Sequence, residues 1–595
     1  MNHYTPVWHN HTPAYLERSH THLTLRLKTV LPAEKVDLQV LEHGEIMRKP
    51  TRKIAPLDGE GHWFEAQLPL EEGRLKYSFV VYTIEDRLEY TAARLGHTRR
   101  PFRDWFQYEF GHVAPKWAWK SVFYQIFPDR FRNGDPSNDV QTGEYQYEGR
   151  DVVQVDWSEP PSKDLDIHGH YGGDLQGIEQ ALPYLKNLGV NALWLTPIFE
   201  SPSAHKYDTS DYLKIDPHFG GQEAFESLRD ALHDNGMKLV LDGVFNHVGE
   251  HHHIFKKALQ DETAPERSWF NFTPEQQPPY IAFYGVRSLP KINYSAAEPA
   301  DYFWNAENSV VRHWLRQGID GWRLDVASMI GNEGTDAGNV QHLRNLKKAA
   351  RAENPQAYVF GERSWDGEWA LDGLGEDGAM NYHGFKNPLM DWLSDQSLQG
   401  HPLQPDVTEM SELMWDAYHV LPASVALSQF NQLDSHDVMR AITRLEGNKQ
   451  LLKAALLCLM AYPGVPCLYY GTEIGLDQPE KGTMPFNRKT MPWDEALWDH
   501  DLLAFVKKAI QVRKNALVLQ EGDLRLLYTK EDVFAFTRSY THKSGQQEMA
   551  LFVLNKNREG KALGLPSGHW QNALTGETVS EKVEVPAESA VLLLA

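Results

Sequence analysis

One short stretch of the chain decides its predicted fold: Gly321-Trp322-Arg323-Leu324-Asp325-Val326-Ala327. Apolar residues alternate in it with Arg323 and Asp325, and this period of two predicts a β-strand that ends at a carboxylate. Because the two charged residues are two positions apart, their side chains point to the same face of the strand. A buried Arg–Asp pair is costly to desolvate, so the stretch is either a structural ion pair or part of a functional site.

Helical and strand-like segments alternate along the chain on both sides of this stretch. A helical apolar run at residues 310–315 precedes it, and the other strand-like runs adjoin helical segments in the same way. The predicted strands are residues 122–127, 192–195, 239–242, 321–325, 358–362, 428–431 and 465–471, with a weaker eighth at 378–382. This α/β alternation over about 350 residues predicts a (β/α)8 TIM barrel. A doubly wound open sheet is the alternative, but no Gly-x-Gly-x-x-Gly loop follows the first strand.

The segments outside the barrel predict two β domains and one insertion. Period-two alternation at residues 23–28 and 77–82 predicts an N-terminal β-sandwich, and the same pattern at 524–528 and 550–554 predicts a C-terminal β-sandwich. The connection after the third barrel strand is long enough to predict an inserted lobe over the cleft. The predicted domains are residues 1–115, the barrel at 116–246 and 300–510, the lobe at 247–299, and residues 511–595.

The composition predicts a globular protein that handles neutral or cationic ligands. The 595 residues carry a net charge of −22, which argues against nucleic acid and anionic membranes as partners. Residues 1–13 lack the apolar core of a signal peptide, and no apolar run approaches about 18 residues, so a cytoplasmic location is predicted. The two cysteines, Cys458 and Cys467, lie in apolar surroundings that suggest neither a metal site nor a redox site.

Residues 133–139 place oxygen-bearing side chains close together in one tight loop. They are Asn133, Asp135, Asn138 and Asp139. Oxygen ligands at such short intervals suit a hard cation such as Ca²⁺. A solvated turn rich in Asn and Asp is the commoner explanation of such a loop, and the spacing alone leaves both open.

Ionisable side chains follow the predicted strands at the rim where barrel enzymes carry their catalytic groups. They are Asp242 and His247, Arg323 and Asp325, Glu362, and His436 and Asp437. Two carboxylates on facing strands can cleave a glycosidic bond. We expect Arg323 to lower the pKa of Asp325, which would then attack as the nucleophile. Glu362 follows the apolar residues 358–360, which favours a carboxyl group that stays protonated near neutral pH. Asp437 would hold sugar hydroxyls.

Several stretches together resemble the α-amylase family, glycoside hydrolase family 13. The four that match the family's short motifs are residues 242–247, 321–325, 361–362 and 431–437. The resemblance extends in order over roughly residues 120–510 and implies the same barrel fold. Residues 289–293 and the leading β domain resemble the neopullulanase and cyclomaltodextrinase group. Within that group, residues 319–331, 380–385 and 485–489 look most similar to bacterial maltodextrin glucosidases.

The resemblance implies a reaction and a set of site residues. Asp325 would be the nucleophile, Glu362 the acid/base and Asp437 the transition-state stabiliser. The implied substrate-binding residues are Tyr207, His247, Arg323 and His436 around the attacked glucose, and Arg488 at the next sugar. The implied activity is retaining hydrolysis of α-1,4 bonds in short maltodextrins, which releases glucose or maltose.

Two other functions remain open at this stage. A cyclomaltodextrinase or neopullulanase would act on cyclodextrins and pullulan. A non-catalytic carbohydrate-binding protein is a remote alternative, because such proteins lack carboxylates that this chain keeps at Asp325 and Glu362. The group usually has an Asp four residues before Arg488, whereas this chain has Met484, which puts that sugar contact in doubt.

The resemblance also implies a metal and a partner. Residues 133–139 resemble the calcium loop of neopullulanase-type enzymes, and Gly172, through its carbonyl, and Asp174 would complete a structural Ca²⁺ site. The N-terminal domain resembles starch-binding modules, and in this group it more often covers the cleft of a neighbouring subunit. A homodimer through this domain is therefore predicted beside the maltodextrin or cyclodextrin substrate.

Overall fold

A barrel of eight parallel strands forms the centre of the protein, which is described from a computed structural model covering residues 5–70, 73–112, 114–363 and 367–595. The strands are β1 Phe123–Ile126, β2 Ala192–Leu195, β3 Lys238–Gly243, β4 Gly321–Leu324, β5 Tyr358–Gly361, β6 Gly378–Ala379, β7 Phe430–Asn431 and β8 Val465–Tyr469. Their order in the sheet is β6-β5-β4-β3-β2-β1-β8-β7, and a parallel bridge between Met380 and Phe430 joins the two ends. The predicted (β/α)8 barrel, including its weak eighth strand, is confirmed.

Helices follow most of the barrel strands. The longer ones are α1 Leu175–Gln180, α2 Leu182–Leu188, α3 Gly221–Asp234, α4 Val310–Arg316, α5 Asn339–Glu353, α6 Asn387–Ser394, α7 Val407–His419, α8 Lys449–Ala461 and α9 His500–Asn515. The apolar spacing of residues 178–185 predicts one helix, but two helices occupy this region. Pro183 lies in the first turn of α2, where its missing N–H is tolerated but could not have continued α1.

The interior of the barrel is filled with side chains, so a ligand has access only to its rims. Phe123, Trp194 and Phe360 are fully buried there, and the ring of Phe360 stacks on that of Phe430 at a centroid distance of 4.2 Å. Gly321 begins β4 at a point where an added Cβ would lie 2.1 Å from the carbonyl oxygen of Tyr358 on β5. The close approach of these two strands therefore requires a glycine.

The long connection between β3 and α4 forms the predicted inserted lobe. Its helices and helical turns are His253–Gln260, Pro265–Trp269, Phe283–Gly285, Ala297–Ala300 and Asp301–Asn305. The side chain of Lys291 anchors the lobe to the barrel rim, since its ammonium donates a 2.6 Å hydrogen bond to Oδ1 of Asn246. An isolated bridge between His247 and Lys291 adds a backbone contact at the same point. The lobe is thus fastened beside the end of β3.

Antiparallel sheets precede and follow the barrel, as predicted. The N-terminal strands are Val7–Trp8, Leu16–Arg18, His22–Thr29, Arg52–Ile54 and His62–Pro69 in one sheet, and Lys35–Glu42, Glu45–Pro50, Arg74–Tyr82, Arg87–Tyr90, Leu95–Gly96 and Phe106–Glu109 in the other. The main C-terminal sheet comprises Asp523–Lys530, Val533–Thr541, Gln547–Asn555, Trp570–Asn572, Thr578–Val579 and Ser589–Leu594, and a small one pairs Lys561–Gly564 with Lys582–Val585.

The three parts of the chain contact one another directly. Gln107 of the N-terminal domain donates to the carbonyl of Val420 beyond α7 at 2.7 Å, and the backbone of Ala14 donates to Thr541 in the C-terminal sheet at 3.2 Å. Among the residues that the structure describes, none of the helices combines the length and apolarity needed to span a bilayer.

Candidate active site

Arg323 is the central cation of the site at the carboxyl ends of β3, β4 and β5. Its Nη1 donates to both oxygens of Asp242, at 2.9 and 3.0 Å, and to Oδ1 of Asp325 at 2.9 Å. Its Nη2 forms an ion pair with Oε2 of Glu362 at 2.8 Å. The side chains of Arg323 and Asp242 are completely buried, whereas that of Glu362 keeps 16% of its surface exposed. One guanidinium therefore holds three carboxylates from three neighbouring strands together at one rim.

A strained backbone turn follows Asp325. Val326 adopts a left-handed conformation with φ 43°, which is unusual for a β-branched residue. This turn directs the backbone N–H of Val326 to Oε2 of Glu362 at 3.2 Å. The hydroxyl of Tyr382 donates to the other oxygen of Glu362 at 3.4 Å. Backbone strain of this kind is found where the surrounding structure enforces it, often at functional sites.

Burial dominates the protonation of this cluster. It raises the pKa of Asp325 well above the ordinary value, and Arg323 offsets this rise only in part while Glu362 and Asp242 add to it. Burial likewise raises the pKa of Asp242 to about 6. Arg323 lowers the pKa of Asp325, as expected, but burial outweighs this effect and the net shift in the free site is upward. Carboxylates this close titrate as a unit, and the unit keeps a proton at a pH where isolated carboxyls would have lost it.

A second group of predicted residues lies beside this cluster and forms what we call the second wall of the site. The hydroxyl of Tyr207 lies 2.6 Å from Nε2 of His436 and 3.1 Å from Oδ2 of Asp242. Nε2 of His436 also lies 3.1 Å from Oδ2 of Asp437. Burial lowers the pKa of His436 well below its usual value, and Gln125 donates to Nδ1, so the neutral ring carries its proton on Nε2. The wall therefore presents a neutral donor beside a partly buried carboxylate.

His247 supports this wall from the side of the inserted lobe. Its Nε2 donates to the carbonyl of Tyr207 at 3.1 Å, and its ring stacks on Phe283. Burial lowers the pKa of His247 to about 3, so the ring is neutral. His247 thus fixes the backbone of Tyr207.

Arg488 reaches the same wall from the loop after β8. Its Nη2 lies 3.5 Å from Oδ1 of Asp437, and its Nη1 lies 3.7 Å from Oδ1 of Asp166. Met484, at the position where the group usually has an Asp, contacts Arg488 through its sulfur and is 44% exposed. Asp166 therefore provides a second carboxylate beside Arg488, from another part of the chain.

Sequence reasoning did not assign roles to three residues in contact with the cluster. Asp242 is predicted at the rim because it ends a strand as Asp325 does, but its role as a partner of Arg323 is not. Trp194, from β2, donates through Nε1 to Oδ2 of Asp242 at 3.2 Å. Tyr382 lies in a π-helical turn at residues 382–386, and no periodicity in the sequence marks that turn.

The predicted calcium residues lie together beside α1. Asn133 donates to both oxygens of Asp139, at 2.8 and 3.0 Å, and a Cβ on Gly172 would lie 2.4 Å from Oδ1 of Asp139. The amide oxygens Oδ1 of Asn133 and Oδ1 of Asn138 are buried and lack a hydrogen-bond partner among the described residues. Such orphaned oxygens fit a hard cation.

The other two predicted ligands make different contacts. Asp174 accepts from the backbone N–H groups of Gly134, Asp135 and Gly177, at 2.9, 2.9 and 2.6 Å, and begins α1. Asp135 accepts from Ser137 in a tight turn. The described residues contain no cluster of three His, Cys, Asp or Glu side chains suited to a metal, so a cation here would need amide and carbonyl oxygens besides carboxylates.

The catalytic-domain model of the α-amylase family matches residues 125–511, which include every strand and residue of this site. The chain belongs to the α-amylase family. It is a glycoside hydrolase. Its similar relatives are maltogenic amylases, neopullulanases and cyclomaltodextrinases, which supports membership of the neopullulanase and cyclomaltodextrinase group. An intracellular maltogenic amylase of Bacillus subtilis is 34% identical over 518 residues, and the match covers 83% of this chain and 80% of the amylase.

Two further family members extend the comparison. Neopullulanase 2 of Thermoactinomyces vulgaris is 34% identical over 541 residues, covering 87% of this chain and 85% of its own. The solved structure of a cyclomaltodextrinase superposes with a TM-score of 0.74 at 29% identity and covers 99% of both chains. The names of these relatives support the cyclomaltodextrinase and neopullulanase alternative better than maltodextrin glucosidase.

Proposed function

We propose that this family member hydrolyses α-1,4-glucosidic bonds of cyclodextrins and short maltodextrins with retention of configuration. The observation that carries the proposal is the single guanidinium of Arg323, which holds Asp325 and Glu362 at one rim. Retaining glycosidases need two carboxyl groups on either side of the scissile bond, one as nucleophile and one as acid. The relatives' names support cyclodextrin as the substrate, and maltodextrin glucosidase becomes the second candidate.

In the proposed reaction Asp325 acts as a carboxylate and Glu362 as a protonated acid. A carboxylate oxygen of Asp325 attacks the anomeric carbon, the bond to the leaving oxygen breaks, and Glu362 gives its proton to that oxygen. Water then attacks the anomeric carbon, its proton passes to Glu362, and the carboxylate of Asp325 leaves. The raised pKa of Asp325 in the free site favours its protonated form, whereas the reacting state requires Asp325 as a carboxylate and the proton on Glu362.

The second wall would hold the attacked glucose. The neutral Nε2–H of His436 and the hydroxyl of Tyr207 can bind sugar hydroxyls, and Asp437 can accept from others. Hydrogen bonds that strengthen as the sugar ring flattens lower the barrier. Arg488, with Asp166 and Asp437 on either side, would bind the next sugar.

We propose that the loop at residues 133–139 holds a structural Ca²⁺. The buried amide oxygens of Asn133 and Asn138 support this site, with Asp139, Gly172 and the remaining predicted ligands Asp135 and Asp174 around them. A cation bound there would neutralise carboxylates and stabilise the loop between β1 and α1.

We also propose a cytoplasmic homodimer in which the N-terminal domain contributes to the interface. Support comes from the resemblance of that domain to the group and from the word intracellular in the name of one relative. Light scattering on a sizing column should give twice the chain mass of 68.1 kDa. A mass of one chain would count against the dimer.

The test of the proposed function compares substrates and a nucleophile variant. Wild-type protein should open β-cyclodextrin and cleave maltotriose, with products resolved by chromatography. Asp325→Asn should lose at least about a thousandfold in kcat on both while its circular dichroism and melting temperature stay close to wild type. The exposed Asp230→Asn is the matched control and should keep full activity. Turnover of maltotriose to glucose with very slow ring opening would favour the maltodextrin glucosidase alternative.

A further inference from the structure

A groove beside the loop at residues 133–139 lies outside the carboxylate cluster around Arg323 and shares Asn133 and Asp139 with the predicted calcium loop. It encloses about 1000 Å³, and none of the carboxylates around Arg323 lines it. We call it the tryptophan groove, because Trp157, Trp493 and Trp498 form part of its wall. Its volume falls within the range of small-molecule sites and is large enough for several sugar rings.

The three indole rings are half-exposed and held in place. Their Nε1–H groups donate to the backbone carbonyls of Met491, Phe131 and Pro492, at 3.0, 2.6 and 2.6 Å. The rings of Trp493 and Trp498 also pack edge-on within 6.4 Å of each other. The hydrogen bonds use the polar atoms of all three indoles and fix the rings before any ligand arrives. Arg132 lies over the ring of Trp493, so Trp157 and Trp498 are the rings left to offer flat apolar faces.

A buried polar group at the same wall lacks a partner. Tyr171 lines the groove with only 4% of its surface exposed, and its hydroxyl makes no hydrogen bond among the described residues. Leaving a buried hydroxyl unpaired costs free energy, so an occupant that bonds to it gains affinity.

The charges around the groove exclude most other occupants. Asp156, Asp494 and Glu495 line it together with Asp139, whereas its cation, Arg132, already lies over the ring of Trp493 at 4.9 Å. An anionic ligand would be repelled, and an apolar one would leave these polar groups unpaired. A neutral ligand with flat apolar faces and many hydroxyls satisfies both the rings and the acceptors.

We propose that the tryptophan groove is a second carbohydrate-binding site for α-glucan chains, distinct from the cleft where Asp325 acts. The proposal rests on the proposed substrate class. A chain bound in the groove would be held on the enzyme while its end is cleaved, so the groove should matter for long glucans and not for maltotriose.

Calorimetry on the full-length Asp325→Asn protein with maltopentaose tests the number of sites. Two sites per chain are expected. In the same background, Trp498→Ala and the milder Tyr171→Phe should each weaken the second site about three- to tenfold. The matched control is Trp117→Ala, another half-exposed tryptophan whose Nε1–H bonds to a backbone carbonyl, that of Gln356. It should leave both sites unchanged.

Kinetics on the otherwise wild-type enzyme separate the groove from the catalytic site. Trp498→Ala and Tyr171→Phe should keep kcat/KM for maltotriose within twofold and raise KM for soluble starch about three- to tenfold. A single binding site in the parent protein, or an equal loss in Trp117→Ala, would overturn the proposal while maltotriose turnover stays normal. Failure of the proposed function would instead abolish turnover of every α-glucan in the wild-type enzyme.

Discussion

Arg323 shows how one residue can set the chemistry of a whole site. A buried guanidinium needs anionic partners, and here it contacts Asp242, Asp325 and Glu362 at the ends of three strands. Lysine at this position would offer one point charge in place of a planar fork, and it could not bridge the three carboxylates in the same way. The position of the nucleophile and that of the acid therefore depend on each other through this side chain.

Asp242 makes the cluster sensitive to pH near neutrality. Burial raises its pKa to about 6, and Arg323 and Tyr207 both donate to its ionised form. We expect kcat/KM for maltotriose to fall as the pH drops below about 6, because a protonated Asp242 accepts these hydrogen bonds less well. Tyr207→Phe removes a donor that favours the ionised form, so it should move this acid limb to higher pH.

The matched test is Asp242→Asn, which should be less active and whose kcat/KM should no longer fall as the pH drops below about 6. If the fall in kcat/KM near pH 6 were unchanged in Asp242→Asn, the titrating group would be another residue.

The raised pKa of Asp242 also determines how its contribution to stability depends on pH. Because the folded pKa of Asp242 lies above its unfolded value of 3.8, its stabilising contribution is fully present below pH 3.8 and is lost as the pH rises through about 6.

The loop after β2 is the element that carries Tyr207 into the site. Lys206, which precedes it, has a left-handed backbone with φ 61° and a buried ammonium 2.7 Å from Oδ2 of Asp216. Although burial opposes it, Lys206 and His218 bring the pKa of Asp216 below its ordinary range. The stability that this carboxylate contributes is therefore present above its unfolded pKa of 3.8 and is lost as the pH falls further.

Lys206→Met should destabilise the protein by about 3–5 kcal/mol, because it leaves the buried carboxylate of Asp216 without its cation. It should also raise KM for maltotriose by displacing Tyr207. Thermal and chemical unfolding measure the first effect. The matched control is Lys214→Met, since Lys214 forms an exposed ion pair with Glu200 and should cost less than about 1 kcal/mol. Equal effects of the two variants would argue against a structural role for the buried pair.

The loop between β1 and α1 is expected to respond to calcium. Millimolar CaCl₂ should raise the melting temperature, by the equivalent of about 2.7 kcal/mol when the free ion reaches a hundred times its Kd. Asn133→Ala should remove the response, because it deletes one of the orphaned amide oxygens. Scanning calorimetry with and without a chelator measures it, with Asp230→Asn as the control. A melting temperature that changes with neither calcium nor chelator would contradict the proposed calcium site.

At the scale of the whole molecule, most of the fold could be predicted from periodicity. The strands that end at Asp242, Asp325 and Glu362 were visible because each apolar run stops at a carboxylate, and parallel strands bring such ends to one rim. The strand β6, Gly378–Ala379, gave a weak signal because its two residues are a glycine and an alanine, which have low strand propensity. The break between α1 and α2 follows from Pro183, which lacks a backbone N–H and cannot continue a helix, and apolar periodicity does not indicate such a break.

The electrostatics of the site could not be predicted from sequence in the same way. The pKa of Asp325 depends on burial produced by residues far apart in the chain, among them Trp194 on β2 and Met380 beyond β6, which contacts Arg323 through its sulfur. Sequence spacing showed the attraction between Arg323 and Asp325 but gave no measure of the competing desolvation. Asp166, which stands beside Arg488, was overlooked because its loop carries no pattern.

The most direct test of the central claim is to trap the covalent intermediate on the proposed nucleophile. In Glu362→Gln, α-maltosyl fluoride needs no acid to lose fluoride, while the second step lacks its base and should slow by about 10²–10⁴-fold. Mass spectrometry of the digested protein should then find one maltosyl group on the peptide that contains Asp325. Stoichiometric release of fluoride with the sugar on another carboxylate, or with no adduct at all, would contradict the account.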